Sequence, residues 1–237
     1  MRDATPPPPT ERLRFLLQEA RFGLRELRRH GGRIALLFVA LWLPLWVFAA
    51  LAEEVHEGEA FGFDQPLLQW VHALHGPLPD RVFMAFSKLG YAWGVVPFDV
   101  LLVAALAWSR RQREGLFAGI ALIGSALLNV ATKHFFARAR PALWPALAPE
   151  ASYSFPSAHA MGSMTLAAVL VLLAWRTRWR GWVVVAMALF VPMVGASRVY
   201  LGVHYPSDIL AGWAAALAWV SGVYLVLYRD GRRPWQH

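Results

Sequence analysis

The chain contains no cysteine, so neither a disulfide nor a thiolate metal site is available and the redox compartment stays open. Charge is scarce as well: Asp, Glu, Lys and Arg make up 16% of the 237 residues, against 57% hydrophobic residues. Soluble domains carry about 25% charged residues, so this deficit excludes an ordinary one and points to a membrane protein. No internal repeat is visible. No cleavable signal peptide is expected, because the first long apolar run starts only after about thirty residues. What is abundant fits the same picture. Twelve Trp and six Tyr suit a protein with two membrane–water interfaces, where amphipathic rings settle.

The chain is predicted to be all-α, a transmembrane bundle of six spans over residues 33–230, flanked by cytoplasmic segments 1–32 and 231–237. Pro6 to Pro9 mark a tail that does not fold alone. Leu13, Leu16, Leu17, Ala20, Leu24 and Leu27 then recur at helical spacing with arginines mostly between them. That pattern predicts either a helix resting on an anionic leaflet or a solvated helix leading into the first span. Residues 34–52 carry no charge and, at about 1.5 Å per residue, suffice for a hydrocarbon core of about 30 Å. The other runs are 89–109 (with a start as early as Asp80), 115–132, 158–175, 181–197 and 209–228. The fourth and fifth are short and close together, which predicts a helical hairpin. Leu67, Trp70, Val71 and Leu74 after Pro66 predict a short interfacial helix between spans one and two.

Lys and Arg favour the cytoplasmic side of short loops. Arg33 and the N-terminal arginines precede span one. Arg110, Arg111 and Arg113 follow span two, Arg176, Arg178 and Arg180 follow span four, and Arg229, Arg232 and Arg233 follow span six. The alternate side carries Glu53, Glu54, Glu57, Glu59 and Asp64. Both termini are therefore expected inside, in a multi-pass inner-membrane protein. The net charge of +8 reads as a topology signal, and no nucleic-acid partner is expected.

Three short words stand between residues 133 and 208: KHFFARARP from Lys133, PSAH from Pro156, and SRVYLGVHYPSD from Ser197. The topology puts all three at the outer face. Phosphoryl transfer needs charge on three equatorial oxygens stabilised, with nucleophile and leaving group in line. Lys133 and Arg140 are seven positions apart, two helical turns if the helix continues to Pro141, so both can face one point. Arg198 adds a guanidinium suited to bidentate phosphate contact. Ser157 and the N–H groups around Ala158 add donors at a positive helix end. His204 is the candidate nucleophile, with Asp208 four residues on to hold its tautomer. His159 remains as acid for the leaving oxygen and then base for water.

The words, in order and spacing, resemble the three motifs of the type 2 phosphatidic acid phosphatase (PAP2) family, which shares its site with vanadium haloperoxidases. One position departs: Ala158 stands where that family usually has Gly. The resemblance assigns the same roles to Lys133, Arg140, Ser157, Arg198, His159, His204 and Asp208. It implies a membrane phosphatase acting on a lipid phosphate or pyrophosphate, of the undecaprenyl pyrophosphate, phosphatidic acid or phosphatidylglycerophosphate class, through a phosphohistidine. The partner is then the lipid substrate, with no cofactor and no metal. A phosphotransferase using the same intermediate is the alternative, and a lipid or ion transporter the non-enzymatic one. A transporter wants polar groups at the midplane, whereas these gather at one interface. Oligomeric state is left open. Asp99 inside span two is read as an interhelical hydrogen-bonding group, as are Asn129 and Thr132.

Overall fold

The computed structural model describes residues 38–228. The expected proline-rich tail, the arginine-rich helix, the start of the first span and the C-terminal tail lie outside the described residues. The chain divides into one unit ending at Val39 and a second starting at Ala40; apart from Phe38 and Val39, the features below belong to the second.

Among the described residues the structure is all-helical, with no strand. Its helices are α1 (Phe38–Glu57), α2 (Asp64–His72), α3 (Pro77–Leu89), α4 (Val95–Trp108), α5 (Gln112–Phe136), α6 (Ala158–Ala174), α7 (Arg180–Tyr200) and α8 (Pro206–Leu227). Four of them, α1, α5, α7 and α8, are long and apolar enough to cross a membrane; α4 and α6 are apolar but shorter. The fifth run is longer than the sequence pattern suggested, 21 residues, and it carries Pro192 inside the helix.

Span two does not extend back to Asp80 as one helix. Residues 90–94 form turns that break the chain between α3 and α4. A Cβ at Gly94 would lie 2.2 Å from the Leu89 carbonyl oxygen, so only glycine fits that approach.

The interior is apolar and small-sided. Phe117, Ala118 and Ala121 of α5, Val169 of α6 and Val220 of α8 are buried together, with Val95 and Leu106 of α4 at their flank. α6 lies at the centre, packed against α4, α5, α7 and α8. α1 joins through Ala52 and Val55, which meet Phe155 and Ala211.

α2 forms where the apolar spacing predicted, but its inward face is a different one. Leu67 and Trp70 are 42% and 63% exposed, while Asp64 and Leu68, four residues apart and so on one face, are buried. Most of the visible apolar stripe faces outward, only Val71 packing inward, and a carboxylate faces in.

Candidate active site

Lys133 lies near the C-terminus of α5, Ser157 to His159 at the N-terminus of α6, Arg198 near the C-terminus of α7, and Asp208 in the first turn of α8. Consecutive antiparallel helices therefore bring all three sequence words to one end of the bundle. α8 starts as its sequence dictates. Pro206 occupies its first turn, where a missing N–H costs nothing, and Asp208 accepts from the Tyr205 N–H at 2.9 Å.

The arrangement of Lys133 and Arg140 differs from the expected continuous helix. Ala137 is left-handed (φ 46°) and its N–H closes on the Lys133 carbonyl, so α5 ends at Phe136 and Arg140 belongs to the following loop. The loop still returns the guanidinium to the lysine. Lys133 Nζ and Arg140 Nη2 both donate to Ser152 Oγ, each at 3.0 Å, and Lys133 Nζ also donates to the Tyr153 carbonyl at 2.5 Å. Arg140 Nε and Nη1 donate to the Ser152 and Val203 carbonyls at 2.7 Å each.

His204 is fully buried. Its Nδ1 faces Asp208 Oδ2 at 3.3 Å, which leaves Nε2 as the nitrogen 3.1 Å from Arg140 Nη1. Burial, helped by the Arg140 and Arg198 cations and opposed by Asp208, pushes its imidazole down to about 4. The ring is thus neutral near pH 7, with a lone pair on Nε2 among cations. Asp208 is held by four donors: Arg138 Nη1 at 2.5 Å and, besides His204 and the Tyr205 N–H, the Ser154 hydroxyl.

Arg198 is 1% exposed. Its Nη1 donates to Ser87 of α3 and its Nη2 to Glu150, while Nε is buried without a partner. Glu150 also accepts from Arg140 Nη2 at 2.7 Å, so one carboxylate bridges two motif arginines. Burial pulls the Glu150 carboxyl upward, but Arg198 and Arg140 outweigh it and hold the group below the usual carboxylate range.

Ser157 caps α6: its hydroxyl accepts from the Ala160 N–H at 3.4 Å, and its own N–H donates to the Asp208 carbonyl at 3.1 Å. Ala158 is the first residue of α6, where backbone N–H groups have no intrahelical acceptor. His159 follows it, its ring 5.0 Å from Tyr91 and within electrostatic reach of Arg198, Glu150, His204 and Lys133. The structure therefore brings Arg140, His204 and Asp208 into direct contact. Lys133 and Arg198 join them through Ser152 and Glu150, and Ser157 through the backbone.

Four site residues were not singled out from sequence: Asp64, Arg138, Glu150 and Ser154. Arg138 Nη2 pairs with Asp64 at 3.0 Å, and Asp64 accepts from both the N–H and the hydroxyl of Ser207. A signal for the carboxylates did exist. Clustered cations in an apolar chain need counter-charges, and acids are few enough to search one by one.

The polar residues read as interhelical groups divide. Thr132 instead donates to carbonyls of its own helix, whereas Asn129 does link helices, donating to Met161 Sδ of α6 at 3.7 Å and to the Pro156 carbonyl at 3.2 Å, which anchors the second word. Asp99 lines a cavity of about 130 Å³ with Ser125, Asn129 and Thr165, and its Oδ1 is buried without a partner; Ser125 and Thr165 bond each other instead. Among the described residues no group of three His, Cys, Asp or Glu is placed to hold a metal.

Known proteins are similar to this chain over most of its length. Phosphatidylglycerophosphatase B of Bacillus subtilis is 28% identical over 175 residues, 72% of this chain and 86% of the relative. Undecaprenyl-diphosphatase of Sulfolobus acidocaldarius is 27% identical over 188 residues, 76% of this chain and 87% of the relative. In fold, the crystal structure of a transmembrane PAP2-type phosphatidylglycerolphosphate phosphatase from Bacillus subtilis superposes with a TM-score of 0.69 at 24% identity, covering 81% of this chain and 98% of that one. Residues 114–232, which hold all three words, match the PAP2 superfamily. The chain belongs to that superfamily and is one of its membrane phosphatases.

Proposed function

We propose that this phosphatase hydrolyses a lipid phosphate or lipid pyrophosphate through a phosphohistidine on His204, at the outer interface of a six-span bundle whose termini are cytoplasmic. The observation that carries the reading is the pose of His204: Nδ1 on Asp208, Nε2 neutral and directed at the Arg140 guanidinium. The Nε2 lone pair attacks phosphorus while Arg140, Arg198 and Lys133 take up charge on the phosphoryl oxygens. The P–O bond breaks as His159 gives a proton to the departing oxygen. Water, its proton accepted by the same His159, then cleaves the P–N bond and releases inorganic phosphate. Hydrolysis of lipid phosphates by the Bacillus and Sulfolobus relatives, as their names state, supports the substrate class. Because cations line the site, the reaction is expected to need no divalent metal.

The test is phosphate release from short-chain phosphatidic acid, phosphatidylglycerophosphate and a prenyl pyrophosphate, in sealed right-side-out and inside-out vesicles, with EDTA or orthovanadate added. We expect release from the right-side-out vesicles, latency in the inside-out ones, persistence in EDTA and inhibition by orthovanadate. Loss in EDTA that magnesium restores would overturn the cation clamp, and latency of the opposite vesicles would overturn the orientation.

A further inference from the structure

Behind the carboxylate that faces His204 stands a second ion pair with no part in the scheme above. Arg138 Nη1 donates to Asp208 Oδ1 at 2.5 Å and to Ser207 Oγ at 2.8 Å. Its Nη2 donates to Asp64 Oδ2 at 3.0 Å, and the Ser207 N–H and hydroxyl donate to Asp64 at 2.9 and 2.6 Å. Asp64 is 3% exposed and comes from α2, more than sixty positions before Arg138. The Tyr205 ring covers the guanidinium, 4.2 Å from its centroid. A charged, hydrogen-bonded chain thus runs from α2 to the reacting histidine: Asp64, Arg138, Asp208, His204.

Resting on the phosphohistidine reading, we propose that Arg138 and Asp64 are positioning residues that set the basicity and orientation of His204 through Asp208. Two consequences of geometry support this. Arg138 occupies Oδ1 of Asp208, so Oδ2 is the oxygen left for His204 Nδ1, and the carboxylate cannot rotate without breaking a charge-assisted bond. Arg138 also offsets part of the Asp208 charge that the imidazole senses, and Asp64 offsets part of Arg138. Without Arg138 the full carboxylate faces His204, the imidazolium is favoured, and the attacking lone pair is lost at higher pH. Without Asp64 the cation is uncompensated and the bias reverses. Other charges facing His204 are Arg140 and Arg198, with Glu150 and His159 close by, and all stay in place in these variants.

The experiment is the pH profile of kcat/KM in detergent for R138Q, R138K, D64N and the double variant D64N/R138Q, beside thermal unfolding. The acid limb of R138Q is expected to move up by about one pH unit, that of D64N to move down, and that of the double variant to return toward the parent. R138K keeps the charge, so its limb stays while kcat falls about tenfold, since one ammonium cannot reproduce the guanidinium's fixed fork. Limbs that do not move, or that move together while activity follows unfolding temperature, would make the pair a packing brace and overturn the proposal. Failure of both D64N and R138K to fold would do the same. The profile is read on whichever of the three lipids the parent hydrolyses; release from none of them would overturn the phosphohistidine reading, and this proposal with it, while the parent's activity with unmoved limbs overturns this proposal alone.

Discussion

In the body of the bundle, Phe117, Ala118, Ala121, Val169 and Val220 are fastened by contact alone, and any apolar residue of the right size meets the need. At the end that carries the site, the fastening is directional and spans long sequence distances. Arg138 reaches residues on both α2 and α8, Arg198 reaches α3, and Glu150 joins a loop arginine to α7. The body tolerates exchange of side chains but not of volume. The polar end tolerates little exchange of chemistry at its charged side chains, but changing one of them leaves the apolar packing around them, Tyr200, Leu201 and Val203 among it, in place. The two regions are therefore expected to separate under mutation, one governing turnover and the other folding.

Turnover should break first and most. His204→Ala removes the atom that bonds phosphorus and is expected to lower kcat by on the order of 10⁴–10⁶, with the unfolding temperature near the parent's. Asp208→Asn is expected to cost on the order of 10³–10⁴ by presenting the wrong tautomer. Steady-state kinetics beside thermal unfolding checks both, and a loss of activity that merely follows unfolding would erase the distinction. The pH dependence carries a sign. The folded imidazole is depressed from its ordinary value to about 4, so protonation removes the lone pair only far into acid. With the substrate's own titration divided out, kcat/KM should stay level through pH 6.5 and fall nearer 4. The same depression means the unfolded chain takes up this proton first. His204 thus withdraws stability as pH falls from about 6.5 toward 4, an effect missing in His204→Ala.

Much of this division was legible in the sequence because its two signals are local. Apolar runs gave the helices, the sixth of them to within three residues of the start of α8 at Pro206. The fixed spacings within the three words gave the motif residues that now meet at one end. What escaped has no local period. Asp64 read as one more acid on an acidic face, though it is buried against Ser207 and Arg138. Glu150 lies in a loop without helical pattern, and only the paired arginines reveal its purpose. The expected continuation of α5 to Arg140 failed for a related reason, since the left-handed turn at Ala137 carries no glycine or asparagine to announce it.

Gly212 lies where the two regions join. A Cβ there would come within 2.9 Å of the Ser157 carbonyl oxygen and 3.1 Å of both Ala160 Cβ and Met161 N. Backbone cannot step aside as a side chain can, so Gly212→Ala should push the start of α6 away from α8. Overpacking of this kind costs about 1–3 kcal/mol. It should also lower kcat by about ten- to a hundredfold, because the Ser157 N–H leaves the Asp208 carbonyl and the donors of α6 shift. Unfolding temperature and kcat should therefore fall together in this variant. A fall in either one alone would move the boundary between the regions.

The smallest expected effect concerns Glu150. Its carboxylate takes one bond from Arg140 and one from Arg198, the two guanidiniums that a phosphate ester would also engage. Substrate must therefore displace an internal anion. Glu150→Gln keeps the size and an acceptor oxygen but removes the charge, so the competing occupant is weakened while the arginines stay in place. KM and the inhibition constants of inorganic phosphate and orthovanadate should each fall about three- to tenfold, or ~0.7–1.4 kcal/mol. The change is one of uniform binding, so kcat should hold. Protonation of Glu150 in the parent should act in the same direction. Because Arg198 and Arg140 keep that carboxyl below the usual range, the parent's KM should drop only in acid beyond ordinary carboxylate titration, and Glu150→Gln should lack the drop. A rise in KM instead would mean that the carboxylate holds the guanidiniums in position for phosphate, as a strut rather than a rival.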